Sequence, residues 1–368
     1  MPSSYDPTIS HNLIAQLVER NIIFLSPFTH KYTLSSHIDS LGWETSYGFE
    51  HVSFKQKKNL CSSRLDVDTN SEIIKGVHRP IPMIAANMST VCNAEFCIQL
   101  YKLGALGVMH RADFNENLIK NVERIAEECK WVAASVGVGQ DQEALASELI
   151  DSGANIIFID IAHGYSDSVI ETARNIKDLD PDVKMVIGNT TNPELLVEAA
   201  DVADAIKVGI AQGFACETKN TAGCTEKQFS ATLKFKQLSK EFGIPIISDG
   251  GIREPADMVK AIGAGANSIM AGSIFARCPE SAAEEIDLDG NPHKIYAGMA
   301  SRYVQHRWKG GLKDGTCPEG GIRYLKLGES VDKFLERWSG ALKSGITYAG
   351  GKDIPSFQES VEFIKLAV

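Results

Sequence analysis

The chain has 368 residues, of which 43% are hydrophobic, and a formal net charge of -10, so it can form one large core with additions at its ends. Lysine and arginine form no run that could follow a phosphate backbone, and no apolar stretch approaches about 20 residues, so neither nucleic acid nor a membrane is an expected partner. The first residues, MPSSYDPTIS, lack the basic and apolar regions of a signal peptide, and the eight cysteines include no CxxC pair. We therefore expect a cytoplasmic protein with reduced thiols and no zinc site.

Two segments precede the regular part of the chain. Residues 1–45 form an N-terminal extension, with a helix predicted over residues 10–20 and a mixed connector, and we expect a cap or an oligomer contact. Residues 48–69 predict short strands that would plug one end of a barrel.

Strand-like and helix-like segments then alternate eight times from Ile81 onward. The predicted strands cover residues 81–88, 105–110, 131–137, 155–162, 184–189, 205–210, 244–251 and 268–275. The helices between them cover residues 94 onward, 118–129, 143–152, 167–179, 193–200, 228–242 and 255–263, followed by a less regular helix near Glu280. Eight such pairs favour a (β/α)8 TIM barrel over an open doubly wound sheet, so residues 46–368 are predicted to form one barrel domain. No GxGxxG or GxxxxGK[ST] motif follows a strand, which argues against nucleotide folds of the open type.

Polar residues and glycines gather at the ends of the last three predicted strands. AIKVGIAQGFACET delivers Cys216 on a turn that contains glycine, IPIISDGG ends in Asp-Gly-Gly, and SIMAGSIF carries Gly-Ser. Because the carboxyl ends of parallel strands meet at one rim, we expect the chemistry there. Residues 296–321 are rich in glycine and charge without a helical or strand period, which predicts a mobile loop over this rim.

Each of these features also has an ordinary interpretation. A cysteine at a strand end is more often a packing residue than a nucleophile, and Asp-Gly-Gly alone is a common turn. His110 and His163, also at strand ends, fit a structural role as well as a catalytic one. Glu319 would ordinarily be a solvated loop carboxylate.

A set of motifs in fixed order carries a family resemblance. They are AANMSTV from Ala85, GVMH from Gly107, IDIAHGYS from Ile159, the turn ending at Cys216, ISDGGIREPADMVKAIGAGA from Ile247, GSIF from Gly272, GMAS from Gly298 and EGG from Glu319. Together they resemble the motifs of the inosine monophosphate dehydrogenase and guanosine monophosphate reductase family, over about residues 49–351. The resemblance implies a (β/α)8 barrel in a homotetramer.

Within that family the chain is more similar to guanosine monophosphate reductase. The dehydrogenases usually insert two regulatory domains and carry a long flap with an Arg-Tyr pair that activates water. Here the strand and helix pairs follow one another directly, and only a short loop fits between Met299 and Glu319. Arg302-Tyr303 directly follows GMAS, so we interpret this pair as a coincidence.

The resemblance implies reductive deamination of GMP to IMP with NADPH. A thiolate suits the first step because it adds to C2 of the purine and later leaves, and Cys216 is the expected nucleophile. By resemblance, Thr218 and Glu319 form the relay that protonates ammonia.

The resemblance also implies binding roles, in three groups. The substrate, a purine nucleoside monophosphate, would be held by Asp249 at the ribose, by Gly250, Gly251, Gly272 and Ser273 at the phosphate, and by Met299 and Ser301 at the base. The cofactor would be held by Asp160 and Ala162 on the nicotinamide side and by Ser63, Arg64 and Arg111 at its phosphate-bearing end, where arginines favour NADPH over NADH. Carbonyl groups of Gly213 and Cys216 resemble a potassium site.

Four positions depart from the family pattern and leave the exact activity open. Phe214 replaces a serine that contacts the substrate phosphate, Ser89 an aspartate, Thr316 a substrate-binding arginine and Glu226 a tyrosine. These changes suggest a nucleotide that differs from GMP, such as a modified or deoxy form, or one held differently. Oxidation of the dehydrogenase type and nucleotide binding without catalysis are also compatible with the motifs.

Overall fold

Eight parallel strands close into a barrel in the computed structural model, which describes residues 44–112 and 117–367. The described residues from Tyr47 onward form one compact unit. The helix predicted over residues 10–20 lies outside the described residues, so the role of the N-terminal extension stays a prediction. No helix in the described part of the chain is both long and apolar enough to cross a bilayer.

The secondary structure follows the alternation seen in the sequence. The strands are β1 (Val52–Phe54), β2 (Ser71–Ile74), β3 (Val77–Arg79), β4 (Met83–Ala85), β5 (Leu106–Met109), β6 (Ala133–Val136), β7 (Ile156–Asp160), β8 (Lys184–Thr190), β9 (Ala205–Val208), β10 (Ile246–Asp249), β11 (Ser268–Ala271), β12 (Glu285–Leu288), β13 (Asn291–Ala297), β14 (Ile322–Lys326) and β15 (Phe363–Lys365). The α-helices are Ala94–Lys102, Leu118–Glu128, Gln140–Asp151, Asp167–Leu179, Glu194–Glu198, Thr218–Thr221, Gln228–Phe242, Pro255–Gly263, Ser273–Ala276, Arg302–Lys309, Val331–Tyr348 and Ile354–Ser360, and 3-10 helices cover Phe49–His51 and Arg64–Asp66.

The barrel contains β4 to β11 in sequence order, with β11 pairing back to β4. Its strands are buried on both faces, which explains their continuous apolar runs. The predicted (β/α)8 TIM barrel is therefore confirmed.

A hairpin of β2 and β3 closes the N-terminal end of the barrel. Ile73, Ile74 and Val77 pack with the residues that fill the barrel interior. The amide of Lys75 donates to the carbonyl oxygen of Asp204, the residue before β9, at 2.9 Å. The sequence places the plug within residues 48–69, but the plug is the hairpin just after them. Within residues 48–69, β1 pairs with β15 instead.

The helix predicted near Glu280 is not formed. A short helix, Ser273–Ala276, follows β11, and the long helix of this last unit, Val331–Tyr348, comes only after an antiparallel sheet of β12, β13 and β14. The long helix packs on Pro255–Gly263 so closely that a Cβ on Gly345 would lie 2.3 Å from Val259.

The segment 296–321 contains a helix, Arg302–Lys309, which we call the rim helix and which the sequence analysis misses. Ser301 caps its N-terminus by accepting from the amide of Val304, and Gly310 ends it with φ of 74°. Only Val304 in this helix is buried. A helix that buries one residue shows no apolar period, which is why the prediction of a loop without helix is wrong.

Candidate active site

A cavity of about 960 Å³ opens at the C-terminal end of the barrel, opposite the β2–β3 hairpin. Its wall is formed by the segments after β7, β9, β10 and β11 and by the segment between β13 and β14. This is the rim at which the sequence predicts the chemistry.

Cys216 lies on a tight turn after β9 and lines this cavity with a half-buried thiol. The turn is closed by the amide of Cys216, which donates to the carbonyl oxygen of Gly213 at 3.0 Å. Ala211 enters the turn with a positive φ of 61°, an uncommon backbone conformation for a residue with a Cβ. The sulfur is therefore accessible to a ligand and is not sealed in the packing.

Three side chains form a hydrogen-bonded chain in the cavity. The thiol of Cys216 donates to Oγ1 of Thr218 at 3.3 Å, and this hydroxyl donates to Oε2 of Glu319 at 2.7 Å. A hydroxyl can accept one proton while it donates another. The structure thus brings together the three residues that the sequence predicts as catalytic, in an arrangement that can move a proton from sulfur to carboxylate.

Backbone contacts between two distant segments hold Glu319 at this position. The amide of Gly321 donates to the carbonyl oxygen of Ala215 at 2.8 Å. A Cβ on Gly320 would lie only 2.7 Å from the amide nitrogen of Ser301, so this close approach requires glycine.

An ion pair beside the Cys216 turn stabilises the same contact between the two segments. The amide of Glu217 donates to the carbonyl oxygen of Glu319 at 2.8 Å, and its carboxylate lies 2.5 Å from the Arg323 guanidinium on β14. The hydrogen bond from Arg323, and then one from Asn220, lower the pKa of Glu217. The carboxylate therefore stays charged and paired at neutral pH.

A buried lysine connects two carboxylates in the cavity. Nζ of Lys207 lies 2.9 Å from Asp249 and 3.5 Å from Asp160, and it also donates to Asn189. Its side chain is only 3% exposed. Burial by itself lowers the pKa of Lys207, but the two carboxylates outweigh it and raise this pKa. The sequence analysis misses Lys207, although a lysine inside the apolar strand AIKV is a recognisable signal.

The predicted phosphate corner is assembled from glycines at the ends of β10 and β11. Gly250 and Gly251 take positive φ values of 93° and 73°, and both line the cavity with Gly272 and Ser273. A Cβ on Gly272 would lie 2.4 Å from the hydroxyl of Tyr296. Tyr296, which the sequence analysis does not single out, therefore adds a hydroxyl at this corner.

Comparison with known proteins fits this geometry, because residues 46–368 match the model of the IMP dehydrogenase / GMP reductase domain. The chain belongs to this family. It is an oxidoreductase of purine metabolism.

Named relatives of the family align with most of the chain. The GMP reductase of Lactococcus lactis subsp. lactis (strain IL1403) is 34% identical over 266 residues, which cover 72% of this chain and 80% of the relative. The GMP reductase of Streptococcus pneumoniae (strain 70585) is 36% identical over the same shares. The inosine-5'-monophosphate dehydrogenase of Aquifex aeolicus (strain VF5) is 32% identical over 304 residues, which cover 75% of this chain and 60% of that enzyme. The prediction that the chain is more similar to the reductases is confirmed.

The two residues predicted to contact the base have different positions. Met299 lines the cavity, and its sulfur accepts from the amide of Ser89 at 3.5 Å. Ser301 does not line it and is buried, because its Oγ is the cap of the rim helix and accepts from Val304. Ser301 thus lies at the start of the rim helix, and its contact with the base stays a prediction.

The predicted cofactor residues divide between two places. Asp160 and Ala162 line the main cavity. Ser63 and Arg64 lie in a separate depression beside the helix Val331–Tyr348, where Nη1 of Arg64 donates to Oγ of Ser344 at 2.8 Å. The structure of this unit therefore does not bring Ser63 and Arg64 together with Asp160.

Arg111, the third predicted phosphate-binding residue, follows β5. Its guanidinium carbon lies 5.7 Å from the ring centroid of Trp308, at the end of the rim helix. The predicted potassium carbonyls, those of Gly213 and Cys216, belong to one turn, and the Gly213 oxygen already accepts the Cys216 amide. Potassium binding there stays a prediction.

Neither histidine considered in the sequence analysis lines the cavity, since His110 is buried after β5 and His163 is exposed after β7. The eight cysteines include no disulfide. In the described ranges no three or more His, Cys, Asp or Glu side chains are grouped so that they could hold a metal ion.

Two of the four departures from the family pattern face the cavity. Phe214 is 41% exposed, and the guanidinium carbons of Arg253 and Arg323 each lie 5.9 Å from its ring centroid. Thr316 lines the cavity as well, whereas Glu226 forms an ion pair with the helix that follows it. Phe214 and Thr316, which depart from the family pattern, therefore form part of the cavity wall.

Proposed function

We propose that this protein catalyses the NADPH-dependent reductive deamination of a GMP-like nucleotide to the IMP-like nucleotide and ammonia. The observation that carries the proposal is the hydrogen-bonded chain from Cys216 through Thr218 to Glu319 at the open end of the barrel. The names of two relatives, both GMP reductases, support the same direction of reaction.

The first half of the reaction is exchange of an amine for sulfur at C2. The Cys216 sulfur forms a bond to C2, the bond from C2 to the amino nitrogen breaks, and ammonia leaves a covalent thioimidate. The proton lost by the thiol passes to Oγ1 of Thr218, which passes its own proton to Glu319. The same path in reverse delivers a proton to the departing nitrogen.

The second half replaces sulfur with hydrogen. Reduced nicotinamide, when bound, supplies a hydride to C2. The bond between C2 and sulfur then breaks, and Cys216 leaves as a thiolate that takes up a proton. In total one nucleotide, one reduced cofactor and two protons give the deaminated nucleotide, the oxidised cofactor and ammonium.

The remaining groups orient the reactants. Asp249 offers carboxylate oxygens to ribose hydroxyls, and Lys207 fixes that carboxylate through a contact of 2.9 Å. Gly250 and Gly251 line the cavity with positive φ values, and their amides donate to the carbonyl oxygens of Met270 and Gln212 at 3.2 and 3.1 Å. We propose that these glycines serve a phosphate by leaving room for it, because neither carries a side chain. Asp160 and Ala162 line the side of the cavity at which we propose the nicotinamide.

The test is a spectrophotometric assay on the purified chain. We expect NADPH absorbance to fall only when GMP or deoxyguanosine monophosphate is added, and Cys216→Ala to abolish this turnover while it leaves nucleotide affinity largely intact. Cys224→Ala is the matched control, because Cys224 is exposed and outside the cavity, and it should keep full activity. A flat trace with both nucleotides, or turnover by Cys216→Ala, would contradict the proposal.

Competing functions give different results in the same assay. Production of NADH from IMP would select the dehydrogenase direction. That direction needs an Arg-Tyr pair that activates water at the substrate, but neither Arg302 nor Tyr303 lines the cavity, and the hydroxyl of Tyr303 accepts from Arg307 at 2.7 Å. The exposed ring of Phe214 favours a modified or deoxy nucleotide as the second candidate. Nucleotide binding without turnover would select a non-catalytic relative.

A further inference from the structure

Gln305 is a half-buried side chain of the rim helix that lines the cavity. Its Nε2 donates to the carbonyl oxygen of Met299 at 2.7 Å. Because a carbonyl oxygen can only accept, this contact fixes which end of the side-chain amide is the nitrogen. The other end, Oε1, is therefore the acceptor end of an amide whose orientation is set by the protein.

Oε1 of Gln305 is available to a ligand. Within residues 44–112 and 117–367 no donor is bonded to this atom, and it is not closed off from solvent. A carbonyl oxygen in the wall of a cavity needs a donor when a ligand displaces its water, because an unmade hydrogen bond costs free energy. The wall thus selects, at this point, for a ligand that carries a donor.

This acceptor lies beside the segment that is predicted to contact the base. Gln305 holds the backbone of Met299, and within the stretch 298–305 it supplies the one side-chain amide or hydroxyl that lines the cavity. Thr316, which replaces the family's substrate-binding arginine, donates its hydroxyl to the carbonyl oxygen of Lys313 at 2.6 Å. We therefore expect Gln305, and not Thr316, to meet the edge of the purine.

We propose that Oε1 of Gln305 accepts a hydrogen bond from N1–H of the purine, so that Gln305 selects 6-oxopurine nucleotides. This inference rests on the proposed function for the position of the base, with its C2 at the Cys216 sulfur. N1 is bonded to C2, so a group that contacts N1 lies next to the reacting carbon. Guanine and hypoxanthine carry a hydrogen on N1, whereas adenine and 2,6-diaminopurine present a lone pair there, which an acceptor repels. The substrate and the product of the proposed reaction share this contact.

Nucleotide binding without cofactor tests the proposal on the full chain. The probes are GMP and IMP, which carry N1–H, and the ribonucleoside monophosphates of 2,6-diaminopurine and adenine, which do not. In Gln305→Met we expect the affinity for GMP and IMP to fall about fivefold in calorimetry, since a hydrogen bond between uncharged groups contributes about that much. The affinity for the other two nucleotides should stay the same or rise, because the repulsion is removed as well.

Two further variants separate recognition of the base from support of Met299. Gln305→Lys keeps a donor for the Met299 carbonyl but has no acceptor, so it should lose the preference for N1–H as Gln305→Met does. His306→Ala is the matched control, because His306 is the next residue of the rim helix, is exposed and does not line the cavity, and it should change no affinity. Thermal unfolding of each variant should match that of the parent.

The pattern of losses decides the outcome, because the four nucleotides vary N1–H and the 2-amino group independently. Equal losses for all four in Gln305→Met would limit Gln305 to the support of Met299 and overturn the proposal, and so would unchanged affinities. Losses for GMP and the 2,6-diaminopurine nucleotide alone would place Oε1 at the 2-amino group and overturn the contact with N1.

The same variants distinguish this contact from the proposed reaction. A preference for N1–H that depends on Gln305, in a protein that deaminates no guanine nucleotide with NADPH, would leave the contact standing and remove the proposed reaction. Turnover of GMP by a Gln305→Met protein that keeps the base preference of the parent would do the reverse.

Discussion

Replacement of Lys207 by methionine tests how much its buried ammonium contributes to stability and to the position of the Asp160 and Asp249 carboxylates. The change leaves the carboxylates of Asp160 and Asp249 facing each other without the cation that lies 3.5 Å and 2.9 Å from them. Removal of one partner from a buried ion pair costs about 3–5 kcal/mol. Because the side chains of Asp249 and Asp160 are 20% and 25% exposed, water screens part of the repulsion, and we expect about 3 kcal/mol.

This loss is measurable by thermal unfolding. The entropy of unfolding is about 2.1 cal/mol/K per residue, so a loss of about 3 kcal/mol in a barrel of this size corresponds to about 4 °C in Tm. The pKa of Lys207 is raised in the folded state, so its contribution is fully present below about pH 10 and is lost as the pH rises through the folded-state pKa. The difference between parent and variant should therefore shrink only in strong alkali.

Kinetics separate the role of Lys207 at the site from its role in stability. If the ammonium fixes the Asp249 carboxylate for the ribose, KM for the nucleotide should rise about tenfold in Lys207→Met. Lys177→Met is the matched control, because Lys177 also pairs with a carboxylate at 2.9 Å, that of Asp204, but at the opposite end of the barrel. It should lower stability by about 1 kcal/mol and leave KM unchanged. A Lys207→Met protein with the stability and KM of the parent would refute this reasoning.

Three further changes test other parts of the site. Thr218→Val removes the hydroxyl between the Cys216 sulfur and the Glu319 carboxylate and should lower kcat by about 100-fold, whereas Thr218→Ser should keep most of the activity. Equal activity of the two variants in a steady-state assay would exclude the proton path. Phe214→Ser restores a hydroxyl at the altered phosphate contact and should tighten GMP binding by about tenfold in calorimetry, and weaker binding would mean that the ring itself contacts the substrate. Arg323→Leu releases Glu217 and should lower kcat more than it raises KM. The pKa of Glu217 is lowered in the folded state by its pairing with Arg323. The stability difference between Arg323→Leu and the parent should therefore be present above about pH 4.5 and disappear as the pH falls through the lowered pKa. A difference that persists at about pH 2 would contradict the pairing.

The barrel could be predicted because its strands are buried on both faces. Runs such as Ile156–Asp160 have no alternation to confuse with an exposed strand, and glycines and caps mark the helices between them. The β2–β3 hairpin also has a local signal in the sequence, because Ile73, Ile74 and Val77 flank a two-residue turn that contains Gly76, whose φ is 80°.

The elements that carry the rim could not be predicted in the same way. The rim helix buries only Val304, so its start is visible only as the Ser301 cap. The contact between Thr218 and Glu319 depends on antiparallel pairing of β13 with β14, and the spacing of 101 residues between the two side chains has no local signal. The family resemblance, and not periodicity, made Glu319 a candidate.

Gly320 separates two parts of the rim, the residues that hold Glu319 and the segment 302–317. Its close approach to the Ser301 amide anchors the chain on both sides of residues 302–317, while Glu319 is held by the backbone of the Cys216 turn. Neither anchor uses a side chain of that intervening segment. We therefore expect that replacement of the exposed side chains in residues 302–317 leaves the proton path from Cys216 to Glu319 intact, provided that the buried Val304 is kept.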